Sequence, residues 1–304
     1  MTTPFGNSIC KKFDKNDADA IILKINDMWG QKLVFPGPQP ISIERKHLKQ
    51  LKSKKYFIAD KTDGTRYALL CTRYSPYGPL CAVIDRSLNV YALKLKCPSV
   101  CYDGSLFDCE LVREGENWVM LIFDCVAING DSIHQQKYEN RIAQAAILTQ
   151  NYKFAKDDPF ILRMKEKEHL QNIKQFLKNV KYIEYKTDGL IFTPDDYPVI
   201  TGTHNSLFKW KEQLDNTVDF QTDETKTLYL QKQGTLVKTR NTLIINDDVK
   251  IDQKCIIECK NIDQDGKVWE FVQFRKDKNM PNALHVFRKT LVNIKENIKI
   301  EEFY

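Results

Sequence analysis

From residue 56 to 123 the chain reads as one strand after another. Apolar and β-branched residues cluster over 67–74, 80–85, 90–95, 105–112 and 118–123, each run of strand length. Helical spacing lies outside this block. Ile21, Ile22, Ile25, Met28 and Trp29 predict a helix over 17–29, with Gly30 as its stop. Ser42 is expected to cap a helix reaching residue 53. Residues 131–150 and 165–180 also read as helices, and 183–192 and 207–211 return to strand. Phe35-Pro36-Gly37-Pro38-Gln39-Pro40 reads as a rigid, extended loop. Strands grouped together with helices on either side make an α+β chain.

After Phe220 the texture changes. Five short strands with polar turns are predicted over 227–231, 235–238, 242–245, 255–259 and 268–274, a pattern that suits a small barrel of OB type. Pro281-Asn282 is expected to cap a final helix over 283–298. The boundary between two domains is expected near 216–220, and 304 residues suit two domains.

Composition excludes several classes. The chain is 42% apolar and 28% charged, enough for real cores in a soluble protein. No apolar run of about 18 residues predicts a membrane span. Met1-Thr2-Thr3-Pro4-Phe5-Gly6 lacks the layout of a signal peptide. Nine cysteines, an odd count, argue against a disulfide framework and for a reducing compartment. Cys97 and Cys101 are four apart, as are Cys255 and Cys259, and no Cys-x-x-Cys or His pair joins them, so no zinc site is expected. The net charge of +6 is modest and does not alone imply nucleic-acid binding, though it permits a cationic cleft.

The chemistry concentrates in Lys61-Thr62-Asp63-Gly64-Thr65-Arg66, just after the strand-like Tyr56-Phe57-Ile58-Ala59. An amine, a carboxylate and a guanidinium surround one glycine turn. A lysine held beside cations can lose its proton and become a nucleophile. The plain alternative is a lysine-rich hairpin with an Asp-Gly turn. The first four residues recur as Lys186-Thr187-Asp188-Gly189, which runs into Leu190-Ile191-Phe192 with no arginine two places past the glycine. The first copy is therefore the better nucleophile site, and the second reads as a buried strand start with Asp188 at its mouth.

The hexapeptide resembles the Lys-x-Asp-Gly-x-Arg motif of covalent nucleotidyltransferases, the superfamily of ATP-dependent ligases and mRNA capping enzymes. The likeness continues in order over about residues 35–290. Phe35-Pro36-Gly37-Pro38-Gln39-Pro40-Ile41-Ser42 resembles the Pro-Gly-x-Gln-Pro-Val-Ser stretch of RNA guanylyltransferases. Ile84-Asp85-Arg86, Leu106-Phe107-Asp108-Cys109-Glu110-Leu111, Leu121-Ile122-Phe123-Asp124 and Phe160-Ile161-Leu162-Arg163-Met164-Lys165 extend it. Asp188-Gly189-Leu190-Ile191-Phe192, Leu207-Phe208-Lys209-Trp210-Lys211 and Asn216-Thr217-Val218-Asp219-Phe220 come next. Trp269, Arg275-Lys276-Asp277-Lys278 and Pro281-Asn282 close the series, and with the Gln-Pro stretch they point to capping enzymes rather than ligases. Cys109 stands where the family has glycine, and Glu212 where it has proline.

The resemblance implies an α+β nucleotidyltransferase domain of antiparallel sheets with flanking helices over 1–218, an OB-fold domain over 219–282, and a C-terminal helix over 283–304 packing back on the first domain. It implies that Lys61 attacks GTP, releases pyrophosphate, carries GMP as a lysyl phosphoramidate and passes it to a 5′-diphosphate RNA end. Asp63 and Arg66 would serve catalysis. Arg86, Glu110, Phe123 (stacking under guanine), Lys165 (donating to guanine O6), Asp188, Lys209, Lys211, Arg275 and Lys278 would bind GTP. Glu110 and Asp188 would organise Mg²⁺ or Mn²⁺. Lys209 and Lys211, two apart on a strand, are expected to point into one cleft with Trp210 opposite. RNA triphosphatase and cap methyltransferase are expected on other chains, and polymerase binding stays open. The expected setting is intracellular: a nucleus, or a host nucleus or cytoplasmic factory if the chain is viral. An ATP-dependent polynucleotide ligase and a catalytically dead RNA-binding scaffold are the alternatives.

Overall fold

The computed structural model describes residues 2–32, 37–212, 216–251, 253–263 and 265–304. Phe35 and Pro36 of the expected rigid loop lie outside the described residues. The chain divides into two compact units, one of residues 1–41 and 51–209, the other of 42–50 and 210–304.

In chain order the first unit holds strands β1 (Thr2–Phe5), β2 (Ser8–Lys12), β3 (Pro38–Ser42), β4 (Tyr56–Thr62), β5 (Thr65–Tyr74), β6 (Gly78–Ile84), β7 (Val90–Leu93), β8 (Ser105–Glu114), β9 (Asn117–Ile128), β10 (Asp131–Ser132), β11 (Ile161–Met164), β12 (Glu168–His169), β13 (Thr187–Pro194) and β14 (Gly202–Trp210). Its helices are α1 (Lys15–Trp29), α3 (Tyr138–Gln150) and α4 (Ile173–Val180), while α2 (Arg45–Ser53) begins in the 42–50 segment of the second unit. A nine-stranded sheet has the order β1-β2-β7-β6-β5-β8-β9-β10, with β11 paired in parallel to β9. A five-stranded sheet has the order β12-β4-β13-β14-β3.

Alternation along β5 and β6 feeds two cores, because neighbouring side chains point to opposite faces. Leu69, Cys71, Cys81 and Val83 enter one cluster with Phe107 and Met120. Ala68, Leu70, Ala82 and Ile84 enter another, which α1 covers with Ile21, Ile25 and Trp29. The start of α1 is fixed by Asp14, whose carboxylate accepts the Asp17 amide at 3.0 Å, and Gly30 ends it at φ 68°.

Three sequence expectations need correcting. Residues 131–137 contain a two-residue strand, so the helix expected from 131 begins at Tyr138. Lys165 does not start a helix: it comes directly after β11, and the helix expected over 165–180 is only Ile173–Val180. Ser42 ends a strand rather than capping a helix, and α2 begins at Arg45.

The second unit adds β15 (Thr217–Thr222), β16 (Tyr229–Lys232), β17 (Thr235–Lys238), β18 (Thr242–Ile244), β19 (Cys255–Asn261), β20 (Val268–Phe274) and α5 (Leu284–Glu296). Its sheet has the order β17-β16-β15-β19-β20-β18. The two edge strands are separated in sequence only by residues 239–241. Phe220, Trp269 and Phe287 meet in its core, with ring centroids 5.3–5.8 Å apart. Phe287 and Ile294 of α5 lie in that core, so the helix is part of this unit. Its expected Pro281-Asn282 cap is absent: Ala283 is the N-cap, and Asn282 Oδ1 instead accepts the Asp219 N–H at 2.9 Å. Residues 42–50 are tied in by Arg45, which ion-pairs with Glu302, and by Asn293, which donates to the Ile43 carbonyl at 2.6 Å.

Candidate functional site

The two Lys-Thr-Asp-Gly runs face each other. β4 and β13 are antiparallel with Thr62 opposite Thr187, so each lysine stands beside the other run's aspartate. The Lys61 Nζ donates to Asp188 Oδ1 at 2.5 Å, both half-buried. On the other side the Asp63 amide donates to the Lys186 carbonyl at 2.9 Å, and both side chains are exposed. The pairing slips just beyond, between Thr187 and Leu190, at Gly189 with φ 140°. A bulge of this kind re-aims the neighbouring side chain.

Cations and carboxylates alternate around Lys61. Arg66, opening β5, grips Asp108 of β8 with both ends of its guanidinium, the Nε–Oδ1 distance being 2.8 Å, and donates to the Pro38 carbonyl at 2.7 Å. Burial pushes the Asp108 carboxyl up to about 6, against the pull of Arg66. Glu110, two residues on, accepts the Gly64 amide at 3.3 Å and lies 3.9 Å from Lys165 Nζ. Its carboxyl is also raised, by burial first, with Lys165 opposing. Gly64 has no room for a side chain, since a Cβ would come within 2.7 Å of the Leu111 carbonyl oxygen. Lys165 is 8% exposed, hydrogen-bonded to Thr62 Oγ1 and 3.3 Å from Asp60 Oδ2. It is a buried cation held by two strands, not the solvated lysine its neighbours in sequence suggest.

These groups line a cavity of about 190 Å³ between the two sheets of the first unit. Lys61, Arg66, Glu110, Phe123 and Lys165 all reach it, together with Asp60, Tyr138, Arg141 and His204. Phe123, an expected stacking plate, carries Arg66 over its ring at 5.2 Å. Behind it Arg141, 2% exposed, makes a two-pronged bond to Asp124 at 2.8 and 2.9 Å. The Tyr138 hydroxyl donates to the Phe123 carbonyl at 3.0 Å. The cavity therefore offers an apolar wall, a half-buried amine and three further cations, a set matched to an aromatic base with anionic groups attached.

Other expected residues lie elsewhere. Arg86 is exposed just past β6; continuing the Ala68–Ile84 register brings it level with Arg66. Asp85 beside it organises the turn, accepting the Ser87 and Asn89 amides at 2.8 and 2.9 Å. Lys209 is in β14, while Lys211 falls past its end, so the strand alternation expected for the pair does not extend to Lys211. Neither lines the cavity. Trp210 is buried, its indole donating to the Ile298 carbonyl at 2.8 Å. Cys109, standing where the family has glycine, sits fully buried inside β8.

On the second unit Arg275 and Lys278 converge on Asp219. Arg275 donates to Asp219 Oδ1 at 2.9 Å, and Lys278 bonds the other oxygen. Arg275 also grips Asp277 at 2.9 and 2.7 Å, which holds the Asp277 carboxyl down at about 2.

Several residues escape a reading of the sequence. Asp60 interrupts an apolar strand and is fully buried, accepting from Thr62 at 2.9 Å and Tyr185 at 3.3 Å; an acid inside such a run is a legible signal. Asp124 and Asp219 stand in the quoted motifs without a role. Tyr138, Arg141 and His204 give no sequence signal, because only folding brings them to the cavity.

Comparison with known proteins gives a consistent picture. Residues 8–213 match the family model described as mRNA capping enzyme, catalytic domain. Residues 193–304 match the one described as mRNA capping enzyme, C-terminal domain. The chain is 29% identical to the mRNA-capping enzyme subunit alpha of Schizosaccharomyces pombe, over 88% of this chain and 78% of that protein. It is 27% identical to the subunit of the same name in Yarrowia lipolytica, over 88% and 80%. Against the mRNA-capping enzyme of Danio rerio it is 27% identical, over 82% of this chain and 45% of that one.

Proposed function

We infer the working of this chain from its membership: it belongs to the mRNA capping enzyme family. It is an mRNA guanylyltransferase, a nucleotidyltransferase of α+β fold. In finer terms, Lys61 is the nucleophile, and the observation that carries this is its amine, half-buried at the cavity and 2.5 Å from Asp188. Asp188 takes the ammonium proton, being within the reach of a general base. The neutral Nζ attacks the α-phosphorus of GTP, forming the N–P bond as the bond from that phosphorus to the bridging oxygen breaks and pyrophosphate leaves. A terminal oxygen of 5′-diphosphate RNA then attacks the phosphoramidate. The P–N bond breaks, and Lys61 recovers its proton.

Phe123 stacks on guanine, and Lys165 donates to its O6. Arg66, aligned by Asp108, holds the nucleotide, with Asp63 shaping the turn before it. Arg86, Lys209 and Lys211 meet phosphates or the RNA end. Arg275 and Lys278 meet the β and γ phosphates, and Asp219 keeps their two cationic heads together. The hard oxygens of Glu110 and Asp188 suit Mg²⁺ or Mn²⁺, which prefers a few carboxylates and phosphates. Such an ion would neutralise charge developing on the departing pyrophosphate. The second unit's sheet, whose edge strands are joined through 239–241 and where β18 runs parallel to β20, supports an OB-type barrel. The name subunit alpha implies further capping components beside those relatives, and triphosphatase and methyltransferase would come from such chains. Among the described residues no helix is long and apolar enough to cross a membrane.

Incubation with radiolabelled GTP or ATP tests the reading. A covalent label from GTP alone is expected. Labelling from ATP alone makes the chain a ligase, and no label from either removes the nucleophile.

A further inference from the structure

Away from the cavity, three thiols meet inside the first unit. Cys71 of β5 and Cys81 of β6 are directly paired across the sheet, with Sγ atoms 3.8 Å apart. Cys97, in the segment after β7, brings its Sγ to 3.3 Å from that of Cys81. The three sulfurs lie within 4.8 Å of one another. The Tyr102 hydroxyl stands 3.6 Å from the Cys81 sulfur and accepts the Cys97 amide at 3.0 Å.

Two of these spacings are those of a coordination shell. Tetrahedral zinc with Zn–S of about 2.3 Å requires sulfurs about 3.8 Å apart, and a Zn–O bond of about 2.1 Å puts oxygen about 3.6 Å from each sulfur. The Cys71–Cys81 and Cys81–Tyr102 separations meet these values. Cys97 has to withdraw by about 0.5 Å from its present distance to reach the tetrahedral spacing, and it is the half-buried member of the three. Cys71 and Cys81 are 0% and 2% exposed, so the inner side of the site is closed.

We propose that Cys71, Cys81 and Cys97, with the Tyr102 hydroxyl as the fourth donor, form a structural site for a thiophilic divalent cation, zinc by geometry. Binding releases the proton of each ligating thiol to solvent, so affinity rises with pH. Three thiolates and one dication carry a net charge of −1, and burying it is tolerable because the ion bonds to every ligand at once. No zinc site is expected from ligands paired along the chain. Here the ligands are paired across a sheet, 10 and 16 residues apart. The site would staple β5, whose second residue is Arg66, to β6 and to the 94–103 segment.

The test is cobalt substitution in the full chain, stripped of metal under reducing conditions. One equivalent of Co²⁺ should bring a thiolate-to-cobalt charge-transfer band and the visible bands of a tetrahedral ion, which carboxylate ligands cannot give. Zinc should bleach both and raise the thermal midpoint. Cys97→Ser, the least buried change, should weaken Co²⁺ affinity by at least about tenfold, while Cys255→Ser on the second unit leaves it unchanged. Absence of the charge-transfer band overturns the proposal, as does an unaltered band in Cys97→Ser. So does a Cys81–Cys97 disulfide in freshly isolated protein with no metal bound.

Discussion

Lys61 meets Asp188 because two identical tetrapeptides lie antiparallel with their threonines, Thr62 and Thr187, face to face. The arrangement has a local pseudo-twofold centre, and only one of its two Lys–Asp positions opens on the cavity. The residues after each glycine break the symmetry: Arg66 beyond Gly64, an apolar strand and a bulge at Gly189.

The pseudo-symmetry yields the first prediction. Lys61→Ala should abolish the covalent GMP adduct, whereas Lys186→Ala should retain it. Peptide mass spectrometry locates the nucleotide, and finding it on Lys186 would reverse the assignment.

Asp188→Asn should slow adduct formation by about 10²-fold or more, the scale of a lost proton acceptor. The defect should lie in the rate at saturating GTP more than in GTP affinity. Single-turnover labelling over a range of GTP concentrations separates the two.

The Arg66–Asp108 grip predicts an acid limit. Asp108 is raised to about 6, so its carboxylate, and with it the two-pronged bond, is lost as pH falls through about 6. Adduct formation should fall there, and Asp108→Asn should flatten that limb of the profile. Stability runs the other way for this group. A carboxyl raised above its unfolded value favours the fold when protonated, so its contribution is full below about 4 and lost as pH rises through about 6. Thermal midpoints recorded alongside the rates should therefore show no loss from Asp108 between pH 7 and 5.

Arg141→Met should destabilise the first unit by about 3–5 kcal/mol, because it leaves the buried Asp124 carboxylate without its partner. Adding Asp124→Leu should restore most of the loss. Denaturant unfolding of both variants checks this, and equal instability in the two would mean that packing rather than charge dominates.

Arg275→Ala and Lys278→Ala should each slow Lys61-GMP formation by about 10²-fold or more while pre-formed adduct still passes GMP to diphosphate RNA at a much less impaired rate. Equal impairment of the two half-reactions would show that these cations serve the RNA step as well.

Much of the fold is legible in the chain. The strand block, the first helix with its Gly30 stop and the order of the motifs all reflect local patterning, which sequence carries directly. Lys165 is not legible in this way. The charged stretch after it resembles an exposed helix, whereas its burial is decided by Asp60 and Glu110 on other strands. Asn282 misleads for the same reason. Beside Pro281 it looks like a cap, but Asp219, 63 positions earlier, claims its side chain. Tyr138, Arg141 and the three converging thiols are products of tertiary pairing, and no spacing along the chain encodes them.

The second unit borrows residues 42–50 from early in the chain, and Arg45 finds its partners Glu296 and Glu302 about 250 positions later. During synthesis that segment emerges long before anything it binds. The first unit's strands can pair as they appear, but the 42–50 segment waits until Glu296 and Glu302 have left the ribosome. Closing so long a loop slows folding more than it weakens the final state. Synthesis through Glu302, rather than any local propensity, is then the event that lets this segment find its partners, and a nascent chain stopped before Glu296 should present 42–50 as a sticky, unclaimed segment.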